Sequence, residues 1–295
     1  MRILVAGGTG FVGTAVIHAL RVRGLEVRAL ARNPVRAASL EALGVELVRG
    51  DLTDADSLAP AIEGCTHVVN LVAIIKGAPA DFERVMTRGT ESLLEAARHA
   101  GIERFVQMSA LGTTEKSSTL VPYYGAKWAI ERAVEGSGLE YVLVRPSFVF
   151  GRGGALPTFV RQVRFSPVVT VIGPGTQRIQ PVWLEDVAQF FATIVDDDRA
   201  PGRTWELGGP DVVTWDELYL GIAAALGKKR RLLHVPFALA RTGARLTEWL
   251  PGAPLTADQV AMIEAGDNVC TDSDAVDTFG LKLVPLEDQL RRATS

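Results

Sequence analysis

The chain holds little that could staple it covalently or ligate a metal. Only Cys65 and Cys270 occur in its 295 residues, far apart and outside any CxxC or Cys/His cluster, so neither a disulfide framework nor a zinc site is suggested. His18, His67, His99 and His234 are scattered without ligand spacing and read as surface or packed side chains. No uninterrupted apolar run reaches the ~18 residues of a membrane-spanning helix. Neither sign of charge prevails: 31 Lys and Arg stand against 34 Asp and Glu, a net -3. That balance gives no overall field to gather nucleic acid or an anionic membrane, and the basic run Lys228-Lys229-Arg230-Arg231 reads as solvated surface. Met1 to Val5 leads straight into a strand, leaving no room for a signal peptide. The expected setting is reducing and cytoplasmic, with no nucleic-acid partner.

Apolar residues, by contrast, make up 47% of the chain, enough for one enlarged α/β domain or a domain with a smaller appendage. Short apolar runs at Arg2–Ala6, Glu26–Leu30, Glu46–Arg49, His67–Leu71, Arg104–Ser109 and Glu140–Arg145 alternate with helical patterns at Phe11–Arg23, Asp54–Glu63, Asp81–His99 and Tyr123–Glu135. This rhythm predicts a Rossmann α/β fold, a doubly wound parallel sheet with right-handed crossovers, over residues 1–150. From Gly151 the rhythm loosens, glycine and proline recur, and helices dominate. Residues 151–295 read as a smaller, mostly helical substrate-covering region that returns to the sheet in places. Leu232–Leu250 has amphipathic helical spacing. It suits a lid over the cofactor cleft, and a peripheral membrane or protein-complex contact stays open.

Between the first strand and the first helix stands Gly7-Gly8-Thr9-Gly10-Phe11-Val12-Gly13. In that position Gly7 permits the tight turn, Gly10 lets the backbone approach a pyrophosphate, and Gly13 lets the helix pack closely on the sheet. The helix N-terminus, from Phe11 and Val12 onward, offers unpaired N–H groups to the phosphates. The end of the second strand separates the cofactors, because a carboxylate there suits a ribose 2′-hydroxyl and an arginine suits a 2′-phosphate. The sequence reads Ala31-Arg32-Asn33-Pro34, without an acid, so NADP(H) is preferred and NAD(H) is the alternative; Arg36 is a candidate helper. Asp51 is a candidate acceptor for the adenine amino group, or a residue of the approach to the next helix, with Leu52 lining the adenine. Leu71, Val72 and Ala73 would form an apolar wall beneath the cofactor, or ordinary core.

Tyr123 and Lys127 lie four apart at the start of a helix, on one face. A lysine cation beside a phenol lowers a pKa that is otherwise about 10, and the phenol can then exchange a proton with a carbonyl or alcohol while hydride moves to or from a nicotinamide. Tyr124 points to another face.

With these residues in place the sequence resembles the short-chain dehydrogenase/reductase superfamily, in the extended, atypical branch that includes epimerase/dehydratase-like proteins and the Rossmann accessory subunit of respiratory complex I. The likeness runs through Gly7 to Gly13, Gly50-Asp51-Leu52, Arg88 to Ala97, Phe105 to Gly112, Tyr123 to Lys127, Arg145 to Gly151 and Gln180 to Ala188. It implies a nicotinamide site passed by Arg145-Pro146-Ser147-Phe148, a lysine that holds the nicotinamide ribose, and a serine near Ser109 that bonds the reacting oxygen. Two positions depart from the family. Met86 stands where an asparagine usually precedes the Gly-Thr pair, so a proton relay through it is absent or rebuilt. The catalytic-serine position falls at Ser109 or at Ala110, which leaves Ser109 either catalytic or a cap of the following loop. Three activities are compatible: an NAD(P)H-dependent oxidoreductase acting on a carbonyl or alcohol, an NADPH-binding structural, assembly or redox-sensing protein with little turnover, and a sugar-nucleotide epimerase/dehydratase in which Arg178 would meet a diphosphate.

Overall fold

The structure, a computed structural model, describes residues 1–248 and 255–295, without the side chain of Arg36. Its chain contacts divide into two units. The first comprises Met1–Pro146, Leu184–Leu207 and Ser273–Leu281, and the second Ser147–Trp183, Gly208–Asp272 and Lys282–Ser295. The boundary thus falls at Pro146 instead of residue 150, and two later segments rejoin the first unit because they supply an edge strand and the helices packed beside it.

The first unit is built on seven strands: β1 Arg2–Ala6, β2 Glu26–Ala31, β3 Glu46–Arg49, β4 His67–Asn70, β5 Arg104–Met108, β6 Glu140–Pro146 and β7 Arg203–Leu207. They hydrogen-bond in the order β7-β6-β5-β4-β1-β2-β3, and every pairing is parallel. This is the doubly wound Rossmann sheet. Its order reverses between β1 and β4, and ligands in such sheets bind beyond the carboxyl ends of the strands at that switch point. Four helices matter for the site: α1 Phe11–Val22, α2 Gly89–His99, α3 Pro122–Glu135 and α4 Leu184–Ile194. Val16, Ile17 and Leu20, at helical spacing, give α1 its buried stripe, and α1 packs against α4. Pro122 starts α3, where its missing N–H costs nothing. One core gathers Leu4, Val68, Phe105 and Leu143 from the sheet with Leu93, Ala97, Ile130 and Val134 from α2 and α3.

The helical pattern expected over Asp81–His99 begins earlier, at Pro79, and its Glu83–Arg88 stretch is wound as a π-helix before α2 continues. Met86 and Thr87 are the buried residues of that turn.

The second unit carries three short ribbons: Val149–Phe150 with Val182–Trp183, Arg178–Ile179 with Val213–Thr214, and Val168–Ile172 with Arg231–Val235. Helices Leu156–Phe165, Trp215–Ala225 and Leu286–Thr294 close over them, with Phe150, Trp183, Trp215, Leu218 and Ile222 in the core. The helix expected over Leu232–Leu250 is divided. Its first residues lie in the strand Arg231–Val235, and after Pro236 a helix covers Phe237–Thr247; 249 and 250 lie outside the described residues. Proline stops any helix from running through, and pairing with Val168–Ile172 takes the strand.

Candidate functional site

Because the sheet is parallel, the residues following β1, β2, β4 and β5 emerge at one edge. They are the glycine turn after Ala6, Arg32 after Ala31, Leu71 to Ala73 after Asn70, and Ser109 after Met108; Pro146 ends β6 at the same edge. The turn after β1 is shaped as its glycines require. Gly7 takes φ +81°, and a Cβ there would lie 2.9 Å from the Leu71 carbonyl carbon and the Val72 nitrogen. A Cβ on Gly13 would fall 2.1 Å from the Gly7 oxygen, so only glycine lets α1 start this close to the sheet. Gly10 sits at the N-cap without a side-chain cap, and no acid stands in the first turn. The leading amides of α1, together with the positive end of its dipole, are therefore presented to an anion. These features fit a dinucleotide pyrophosphate.

The other predicted cofactor residues are less uniform. Arg32 is exposed, and its side chain makes no hydrogen bond or ion pair among the described residues. Asn33 is exposed beside it. Arg36 falls among the side chains outside the described residues. Asp51 spends Oδ1 on the Thr53 amide and hydroxyl, at 2.9 and 3.0 Å, which is the helix-approach arrangement. Leu52 is buried in the core against Gly89. Leu71 is buried, Val72 half-buried and Ala73 exposed, a graded wall leading outward from the sheet. Phe148 belongs to the second unit, where its ring stands edge-on to Trp215 at 5.6 Å between centroids.

Lys127 is fully buried. Its Nζ donates to the Met108 carbonyl at 2.8 Å, at the end of β5, and lies 5.8 Å from the Tyr123 ring centroid. Desolvation pushes the Lys127 ammonium down to about 8, with the neighbouring Glu131 charge opposing the shift. Burial likewise drives the Tyr123 phenol well above its usual range. The expectation of a phenol lowered by its lysine is thus corrected: Nζ is turned to a backbone carbonyl, and desolvation prevails. Tyr124 packs, its hydroxyl 3.4 Å from the Leu111 carbonyl. Ser109 is buried, and its hydroxyl lies 3.5 Å from that of Thr113. Met86 is core, its sulfur accepting from the Ile74 amide at 3.5 Å; it cannot relay a proton. Arg178, the candidate for a diphosphate, is engaged by Asp267 at 2.7 Å.

Three polar residues that sequence reasoning passed over complete the picture. Glu131, wholly buried one turn beyond Lys127, accepts two hydrogen bonds from Arg145, at 2.8 and 2.7 Å. Asn70 donates to Thr90 Oγ1 at 3.1 Å and to Gln107 Oε1 at 2.9 Å, while its own oxygen accepts from the Val72 amide at 3.2 Å. Gln107 Nε2 donates to the Met108 carbonyl at 2.8 Å, the same oxygen that holds Lys127. A buried chain of bonds therefore joins the segment beneath the glycine turn to the lysine. The sequence did hold signals for these residues: Glu131 follows Lys127 by four on a helix, and Asn70 and Gln107 are lone amides in apolar strands.

Comparison with known proteins gives the family. The model of the NAD dependent epimerase/dehydratase family matches residues 3–208. The chain belongs to that family. A mitochondrial relative from Arabidopsis thaliana, NADH dehydrogenase [ubiquinone] 1 alpha subcomplex subunit 9, is 30% identical over 95% of this chain and 73% of its own. Ceramide reductase of Caulobacter vibrioides is 32% identical over 84% of this chain and 78% of its own. Among solved structures, Citrobacter triphenylmethane reductase complexed with NADP(H) shares the fold with TM-score 0.81, at 22% identity, covering 99% of this chain and all of that one. The family member described here is thus a nicotinamide-binding protein of the short-chain dehydrogenase/reductase type.

Proposed function

We propose that this family member is an NADP(H)-dependent oxidoreductase that reduces a carbonyl group on an apolar, lipid-like substrate, or oxidises the corresponding alcohol. The observation that carries this reading is the buried Lys127 held at the end of β5, one helical turn after Tyr123. The turn at Gly7 to Gly13 would hold the pyrophosphate and Lys127 the nicotinamide ribose. When bound, the nicotinamide supplies the hydride that reduces the carbonyl carbon. Tyr123, kept protonated at neutral pH by burial, gives its proton to the carbonyl oxygen. The Lys127 charge then stabilises the phenolate left behind, and the Glu131–Arg145 pair keeps the base of α3 in place. Arg32, exposed just past the end of β2 in a turn that holds no carboxylate, supports the preference for a 2′-phosphate. The name of the Caulobacter relative supports a lipid-like carbonyl.

The test is Tyr123→Phe, followed as NADPH oxidation against apolar ketones and aldehydes. The expected result is a loss of at least ~10²-fold in kcat with NADPH affinity retained. Unchanged turnover of every accepted substrate would remove Tyr123 from this role.

A second reading, an assembly or structural protein that binds NADPH without consuming it, is favoured by Met86 in the core and by the name of the Arabidopsis relative. It calls for cofactor that survives purification unchanged and for silence across the same panel. Sugar-nucleotide epimerisation has weaker support, since Arg178 is already paired.

A further inference from the structure

We infer that the second unit carries a docking face for an anionic lipid bilayer. The face starts on the ribbon formed by Val168–Ile172 and Arg231–Val235. Register pairs Val168 with Arg231 and Thr170 with Leu233, so these four side chains leave the same side of the ribbon, while Val169 and Val171 turn inward to the core. On the outward side Leu233 is 54% exposed, and Phe165, three residues before Val168, is 77% exposed. The chain leaves the ribbon at Pro236, with the Phe237 ring packed over Gly173. The helix Phe237–Thr247 buries only Ala244 and exposes Leu239 at 65% and Leu246 at 69%.

Charge identifies the partner. No Asp or Glu occurs between Glu140 and Glu185, or between Glu217 and Glu248, so neither ribbon strand nor the helix carries an acid of its own; Asp216 and Glu264, which reach them from elsewhere in the chain, are taken up by His234 and Arg241. Lys228 and Arg230 donate to backbone carbonyls of Val163 and Arg164, which fixes the basic run beside Phe165. Lys229, Arg231 and Arg245 have no ion pair among the described residues. Large apolar side chains in water, bordered by cations without counter-charges, match a bilayer surface with anionic headgroups, which removes the former from water and neutralises the latter. Among the described residues no helix is long and apolar enough to cross a membrane, so the contact is interfacial. The basic run first read as merely solvated acquires a role through its neighbours on the ribbon, although the chain as a whole is acidic.

The experiment is flotation of the full chain with vesicles of phosphatidylcholine alone and of phosphatidylcholine with phosphatidylglycerol, at low and high salt. The proposal expects binding to the anionic vesicles only, weakened by salt. Lys229→Glu with Arg231→Glu should weaken it by at least about tenfold, and Leu233→Ser with Leu239→Ser should weaken it at either salt concentration. All four positions are exposed, and unaltered circular dichroism and NADPH affinity serve as the folding control. Absence of anionic-vesicle binding overturns the proposal, as does binding that these variants leave unchanged. A salt-insensitive dimer abolished by the leucine substitutions, with no vesicle binding, would assign the face to a second copy of the chain instead. None of these outcomes depends on whether the protein turns over NADPH.

Discussion

Lys127 is the residue on which most of the proposed chemistry turns, and its burial sets a definite pH behaviour. Burial pushes its ammonium down to about 8, so kcat/KM for NADPH-dependent reduction should be highest below that pH and fall as the charge is lost above it; a pH–rate profile checks this. The stability consequence has the opposite direction. Between about 8 and the ordinary lysine value the folded chain binds fewer protons here than the unfolded chain, so this group's contribution to stability improves as pH rises through that window. Lys127→Met should therefore fold at least as stably as the parent at pH 7, remove that pH dependence from denaturant titrations, and lose activity by ~10²-fold or more. At the other end of the cofactor site, Arg32→Ala should weaken NADPH by about tenfold and NADH little, as calorimetry would show. The nearness of Tyr123 and Lys127 was legible from their spacing on one helix face, and its interest came from the glycine turn upstream. The depth of Lys127 and its hold on the Met108 carbonyl were not, because a spacing of four fixes a helix face and says nothing of what that face meets.

At the scale of elements, the turn after β1 and the base of α3 are each rigid for a stated reason. Gly13→Ala places a methyl 2.1 Å from the Gly7 oxygen, a backbone contact that no side-chain rotation relieves. Loss of nucleotide binding and a lowered Tm are expected together. Arg145→Met strands the Glu131 carboxylate without its two donors, and a cost of about 3–5 kcal/mol is expected in urea unfolding. The order of strands and helices in the first unit was readable from apolar periodicity, with boundaries within one or two residues for every sheet strand through β6. The reading failed where local pattern is ambiguous. Leu232 to Val235 fits either period, and only the partner strand, more than sixty residues away in the chain, makes it a strand. The π-turn at Glu83–Arg88 likewise has no local signature, since it depends on what Met86 and Thr87 pack against.

Over the whole molecule, the returns to the sheet expected within residues 151–295 supply an essential piece. β7 completes the sheet beside β6, and α4 covers α1; both come from residues 184–207. A fragment ending at residue 150 leaves the outer edge of β6 unpaired and the apolar stripe of α1 bare. Such a fragment should aggregate or lack a cooperative thermal transition, whereas the full chain melts cooperatively; calorimetry of the two would decide it. Sequence rhythm registers neighbours along the chain, so it left open which returning strand pairs and beside which partner.

That late return also bears on synthesis. A ribosome releases β6 well before it has made Arg203, and during that interval the nascent chain offers an open strand edge to any other chain nearby. Slow translation between Pro146 and Leu207 would prolong the interval, so the demand for a holding chaperone is set by the time taken to make the inserted segment.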